Sequence, residues 1–197
     1  MRNRNFRFIF SYGDRGGDVQ TEGSPRGEGF LAGVCGEWEQ AAGLAAGGGV
    51  RTVNLRFPAV LHPSGGVMAM MLPVFRMYMG GPLGGGRQCM SWVTLEDAIE
   101  AVKHLLYSEE IAGPVNICSP QPVSNAEFTC QLARAIRRPV VFRVPKWALR
   151  LAVGEMSREV LLASCHAAPK MLTESGFTFR YPDLADAFAA WQRSGLL

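Results

Sequence analysis

Apolar residues recur along this chain with two different periods. From Leu95 to Tyr107, the residues Leu95, Ala98, Ile99, Val102, Leu105 and Leu106 fall on one face at helical spacing, which predicts a helix. Thr94 stands ready to cap it, and Asp97 occupies the third helical position, where a capping box has its acidic or amide partner. Ser124 and Glu127 form a second capping box, opening a helix that runs to about Ile136. Phe30 to Ala46 has helical character with Trp38 and Glu39 in its middle, although glycines at 33, 36 and 43 weaken it and Gly47–Gly49 stops it. Short strands are predicted at Phe6–Phe10, Val50–Phe57, Val115–Cys118 and Val140–Val144. Residues 13–29 are rich in Gly, Asp, Glu and Ser and read as a loop. Pro145 suits the first turn of a helix, and the remainder reads as helical with a break at Ser175–Pro182.

Helices alternating with short β-branched strands predict an α/β fold. Hydrophobic residues make up 48% and charged residues 19%, which excludes a disordered chain, and 197 residues can enclose a sizeable core. The longest apolar run, Val67–Met79, is interrupted by Pro73 and Arg76 and falls short of the ~20 residues that span a bilayer, so no membrane partner is expected. The basic N-terminus is followed by too few apolar residues for a secretory signal. A net charge of +3, with arginines scattered apart from Arg137-Arg138, gives no reason to expect nucleic acid. Cysteines at 35, 89, 118, 130 and 165 are odd in number and form no C-x-x-C pair, the usage of a cytoplasmic protein with reduced thiols. His62, His104 and His166 are far apart and lack metal-ligand spacing, so no metal is expected. The methionines at 68, 70, 71, 77 and 79 read as core packing.

Several short motifs follow one another in a distinctive order. They are Tyr12–Gly16, Thr21-Glu22, Gly29–Leu31, Trp38-Glu39, Arg51–Arg56, Gly65-Gly66, Gly80–Gly84, Ser91–Val93, Pro122–Phe128 and Gly176–Pro182. In this order they resemble the epimerase family, an atypical short-chain dehydrogenase/reductase group related to nucleoside-diphosphate-sugar epimerases and carrying a small C-terminal domain of unknown function. The resemblance implies the C-terminal part of a Rossmann-type, NAD(P)-binding fold over residues 1–118, then a small α-rich substrate-side domain over 119–197. The cofactor implied is NADP or NAD, and the residue that would separate the two is not among those matched. A full member opens with a strand and a Gly-x-x-Gly-x-x-Gly turn that holds the pyrophosphate on a helix N-terminus, and this sequence contains no such turn. The glycines at 47–49 and 80–86 read as plain turns. At about 30 residues per β-α-β unit, the unmatched strands amount to roughly 100 residues. The expectation is therefore a truncated chain, inactive alone, with an uncovered sheet edge that invites self-association.

The catalytic residues implied are Ser11 and Tyr12, in the run that usually carries the family's serine. That run is shortened here, and an incidental Ser11 stays open beside the functional one. No Tyr-x-x-x-Lys occurs, and the helix that should carry it has Gly33 and Glu37 at the matching positions. The family usually places a basic residue just before the Trp-Glu pair, so Glu37 reverses the charge. Arg56, Phe57, Pro58 and Ala59 match the loop that lies beside the nicotinamide, with Pro58 in place of a glycine and one backbone donor removed. A plain strand end is the other reading of that loop.

Arg87, Gln88 and Trp92 match the substrate side, where an arginine and an amide beside an aromatic suit a small polar, nucleotide-sugar-like ligand. A core Trp92 with a solvated Arg87 is the alternative. Asp97 is expected to stabilise the start of its own helix. Two functions follow from the resemblance: an NAD(P)-dependent oxidoreductase or epimerase-like enzyme, or a non-catalytic binding or division-related regulatory protein using the C-terminal domain.

Overall fold

A computed structural model describes residues 3–145, 147–148 and 162–197. Its centre is a parallel sheet of three strands. Strand β1 (Asn3–Phe8) leads into a 3-10 turn at Ile9–Tyr12; the remaining strands are β2 (Val19–Gln20), β3 (Thr52–Phe57), β4 (Ala59–His62), β5 (Cys89–Met90), β6 (Trp92–Thr94), β7 (Gly113–Asn116), β8 (Val123–Ser124) and β9 (His166–Ala167). The central order is β1-β3-β7, with Phe6 opposite Leu55 and Leu55 opposite Val115. Every residue of β3 is buried. Two-stranded pairings surround this sheet: β4 with β6 and β2 with β9 in parallel, and β5 with β8 antiparallel.

The helices are α1 (Phe30–Gly47), α2 (Gly66–Arg76), α3 (Leu95–Tyr107), α4 (Asn125–Ala135), α5 (Lys170–Glu174) and α6 (Leu184–Arg193). The two predicted caps form: Thr94 Oγ1 accepts from Asp97 N at 3.1 Å, and Ser124 Oγ accepts from Glu127 N at 3.1 Å. Asp97 does more than start its helix. Its Oδ1 accepts from Arg180 N at 2.7 Å and its Oδ2 from Tyr181 N at 3.0 Å, so one buried carboxylate ties the 180–181 segment to α3. At the other end of α3, Arg51 donates to the carbonyls of Leu105, Ser108 and Ile111, placing a cation where the helix dipole is negative.

One core packs Leu61, Met68, Leu72, Phe75 and Trp92 against Phe128, Leu132, Leu184, Phe188 and Trp191. A second joins Val53, Leu55 and Phe57 to Val93, Leu105, Ile117 and Leu172. Both draw on residues from either side of 118, so the two expected parts share their interior. Among the methionines, Met68 is buried while Met70, Met77 and Met79 are exposed.

Three elements differ from expectation. The first strand ends at Phe8, because Ile9–Tyr12 tighten into a turn that carries Tyr12 into the core. A short apolar run carries no signal for where such a turn begins. Val140–Val144 forms no strand: only Val144 bridges to Leu83, and Val141 and Phe142 are 62% and 60% exposed. β-branched residues favour strands by fitting a half-buried pleated surface, and this segment has none. The helix expected after Pro145 falls largely on 146 and 149–161, outside the described residues.

The glycine loop 80–86 owes its composition to close packing. A Cβ at Gly80 would lie 2.4 Å from the Phe75 ring, and one at Gly81 would lie 1.9 Å from the Phe142 carbonyl oxygen. Gly81→Ala should therefore cost about 1–3 kcal/mol, as overpacking does, whereas Gly85→Ala, with open space around it, should stay within about 0.5 kcal/mol of wild type. Urea unfolding of the two variants checks this.

Candidate functional site

The 3-10 turn after β1 places Ser11 and Tyr12 beside the end of β3. Tyr12 has no exposed surface. Its phenol accepts from Arg56 Nη1 at 2.7 Å and lies 2.8 Å from Asn116 Oδ1 and 2.9 Å from the Thr21 carbonyl, either of which can take its one proton. The Arg56 guanidinium also lies 4.9 Å from the centre of the Tyr12 ring. Its remaining edge meets Glu39 of α1 in a two-pronged pair, Nε to Oε1 and Nη2 to Oε2, both at 2.9 Å. Burial works against the Arg56 charge, but Glu39 and Tyr12 outweigh it and hold the guanidinium above its ordinary value. Burial pushes the Tyr12 phenol up to about 12, against the pull of Arg56 and Asn116.

The network extends through Asn116 on β7. Its amide N–H donates to Glu22 Oε1 at 3.1 Å and its Nδ2 to the Ala168 carbonyl at 2.9 Å. Glu22 Oε1 also accepts from Met171 N at 3.2 Å. The first loop, α1, β3, β7 and the 168–171 segment are thus fastened at one point. Among these residues the sequence had singled out Ser11, Tyr12 and Arg56. Glu22 and Glu39 lay in quoted motifs without a role, and Asn116 gave no signal beyond a polar residue in a strand.

The proposed site residues differ in what they offer a ligand. Ser11 is 3% exposed, and its hydroxyl has no hydrogen-bond partner among the described residues. A buried unpaired hydroxyl costs stability unless a water or a ligand completes its bonding. Tyr12 is saturated, and Arg56 is committed to Glu39 and Tyr12. Phe57 packs into the second core and Pro58 is buried, leaving Ala59 half-buried at the start of β4. Trp92 has no exposed surface, and its indole N–H donates to the Gln121 carbonyl at 2.8 Å. Arg87 is exposed, and Gln88 Nε2 donates to the Leu83 carbonyl at 3.1 Å.

The cysteines sit apart from this chemistry. Burial raises the Cys89, Cys118 and Cys165 thiols, the last to about 12 with Cys89 beside it, so all three stay protonated. Among the described residues no cluster of His, Cys, Asp and Glu could hold a metal ion, and no helix is long and apolar enough to cross a membrane.

Comparison with known proteins shows what this chain is similar to. Residues 144–191 match a family described as a domain of unknown function, DUF1731. An epimerase family protein of Mycobacterium bovis is 40% identical over 176 residues, which is 89% of this chain and 58% of that protein. The crystal structure of human epimerase family protein SDR39U1 (isoform 2) with NADPH superposes with a TM-score of 0.90 at 27% identity, covering 96% of this chain and 64% of that one. A nucleoside-diphosphate sugar epimerase from Corynebacterium glutamicum superposes at 0.76 with 32% identity, covering 94% of this chain and 36% of that one. The sheet is accordingly Rossmann-type, and the chain spans a little over half the length of its mycobacterial relative.

Two outcomes follow from the network. Arg56→Ala should lose about 3 kcal/mol in urea unfolding, the low end for breaking a buried pair, because the Glu39 side chain stays 24% exposed. The Tyr12 phenol is harder to ionise folded than unfolded, where its value is 10.0. Its contribution is therefore intact below pH 10 and is lost as the pH rises from about 10 towards 12. Tyr12→Phe should flatten that alkaline limb of the stability profile.

Proposed function

We propose that this chain, which is similar to an epimerase family protein of Mycobacterium bovis over 58% of that protein's length, provides the nicotinamide and substrate side of an NAD(P)-dependent oxidoreductase or epimerase. The observation that carries this reading is the buried hydroxyl of Ser11, without a hydrogen-bond partner among the described residues and held beside the Tyr12–Arg56–Glu39 contacts at the end of β3. The cofactor is NADP or NAD. When bound, its ring supplies hydride transfer, and the rest falls to the residues of the chain.

Ser11 donates its hydroxyl to a ligand oxygen and is the catalytic residue of the pair. Tyr12 keeps its proton and acts as a positioning residue, because it is engaged on three sides. Arg56 fixes the start of the segment through Phe57, Pro58 and Ala59, and Ala59 carries the surface that faces the cofactor. Arg87 offers an exposed cation to the phosphate or hydroxyl groups of a small polar, nucleotide-sugar-like substrate, with Gln88 beside it. Trp92 holds the floor beneath them. Free cysteines at 35, 89, 118, 130 and 165 suit a cytoplasmic, reducing setting. Self-association belongs at the outer edge of β1, which pairs only with β3 among the described residues.

One observation favours a second reading, a non-catalytic protein that binds cofactor without turnover. The sequence has no Tyr-x-x-x-Lys, and the Tyr12 phenol that could replace it is pushed up to about 12.

Fluorescence titration with NADPH and NADH tests both. The proposal expects saturable binding below ~1 mM for at least one dinucleotide, with Ser11→Ala weakening it several-fold at a melting temperature no lower than that of the wild type. No binding of either at that concentration overturns it. Binding without oxidation of the reduced cofactor over a panel of ketoses and nucleotide sugars selects the non-catalytic reading.

A further inference from the structure

Arg26 lies in the loop between β2 and α1, and its side chain is exposed and laid across α1 at Gly36. A Cβ built on Gly36 would fall 1.7 Å from Arg26 Nη1, 2.8 Å from Cζ and 2.9 Å from Cδ. The guanidinium thus fills the place where a side chain on α1 would begin. The loop beneath it is fixed at both neighbours. Arg15 Nη2 donates to the carbonyls of Pro25 and Arg26 at 3.2 and 3.1 Å, and Gly27 N donates to the Ser11 carbonyl at 2.9 Å. Gly27 itself sits so close that a Cβ there would lie 2.0 Å from the Tyr12 carbonyl oxygen.

Among the described residues no carboxylate or carbonyl takes up the Arg26 guanidinium, although Glu28 and Glu37 are near it in sequence. The helix it crosses has Gly29 as its N-cap, with no side-chain cap bond and no acid in its first turn. One hydrogen bond away along the loop, Ser11 is 97% buried (3% exposed) with its hydroxyl unpartnered among the described residues. A guanidinium left without a carboxylate or carbonyl partner among the described residues, on a loop whose backbone is bonded to that of Ser11, is free to take an oxyanion.

We propose that Arg26, laid over Gly36, is the cationic contact that holds an oxyanion of the nicotinamide dinucleotide at this site. The inference rests on the cofactor reading above and adds a residue to it. It also accounts for the glycine inside α1, which costs helix stability unless the space above it is used.

The test titrates NADPH into the full chain and four variants at two salt concentrations, with melting temperature as a control. Arg26→Ala should raise Kd tenfold or more and flatten its salt dependence, leaving the melting temperature unchanged because the side chain is exposed. Gly36→Ala should also weaken binding, since it displaces the guanidinium without removing the charge. Arg26→Lys should keep part of the affinity. The double variant Arg26→Ala/Gly36→Arg, which returns the charge to the same place from the helix, should recover much of it. Wild-type binding that Arg26→Ala leaves intact overturns the Arg26 proposal and spares the cofactor reading. Equal loss in Arg26→Ala and the double variant also overturns it. Absence of wild-type NADPH binding overturns both.

Discussion

A guanidinium buried in the middle of a sheet must keep its charge paired, and Arg56 meets that demand only by drawing distant segments around it. Glu39 is 17 residues away, Tyr12 is 44, and Asn116 reaches the same phenol from 104 residues beyond Tyr12. None of these contacts is local, yet each is short and most are hidden from water. Together they decide where the first loop, α1 and β7 stand relative to β3. Ser11 and Ala59, the side chains proposed to meet a ligand, lie close in sequence to the residues so fixed. Preorganisation of that kind is what a binding site requires of its surroundings.

The same arrangement limits the chemistry. A tyrosine that holds an arginine in place is a poor proton carrier, because the contacts that position it also occupy it. Burial adds to this by disfavouring the phenolate. In the proposed site the roles separate: Tyr12 and Arg56 would supply rigidity, Ser11 the hydroxyl, and Arg26 and Arg87 exposed charge. Where the helix that crosses the site lacks a side chain, at Gly36, a loop arginine occupies the space.

How much of this could be read from the sequence depends on the range of the interaction. α3 and α4 were legible because their caps and stripes are local, and Thr94 and Ser124 bond as their spacing requires. The Rossmann-type sheet was legible through the order of its motifs. Val140–Val144 misled, since β-branched residues look alike with or without a partner strand. The second task of Asp97, binding the amides of Arg180 and Tyr181, left no trace in the helix pattern. The pairing of Glu39 with Arg56 was hidden in two motifs that gave no sign of touching. The glycines at 80, 81 and 36 looked like turns or weak helix, but each marks a close approach by another segment, which only the folded chain reveals.

The most direct test of the account is a crystal structure of this chain soaked with NADPH. The account predicts the nicotinamide ring beside Ser11 and Ala59, with the Arg56–Glu39 pair and the Tyr12 contacts undisturbed. A nicotinamide seated elsewhere, or one that breaks the Arg56–Glu39 pair to bind, would contradict it.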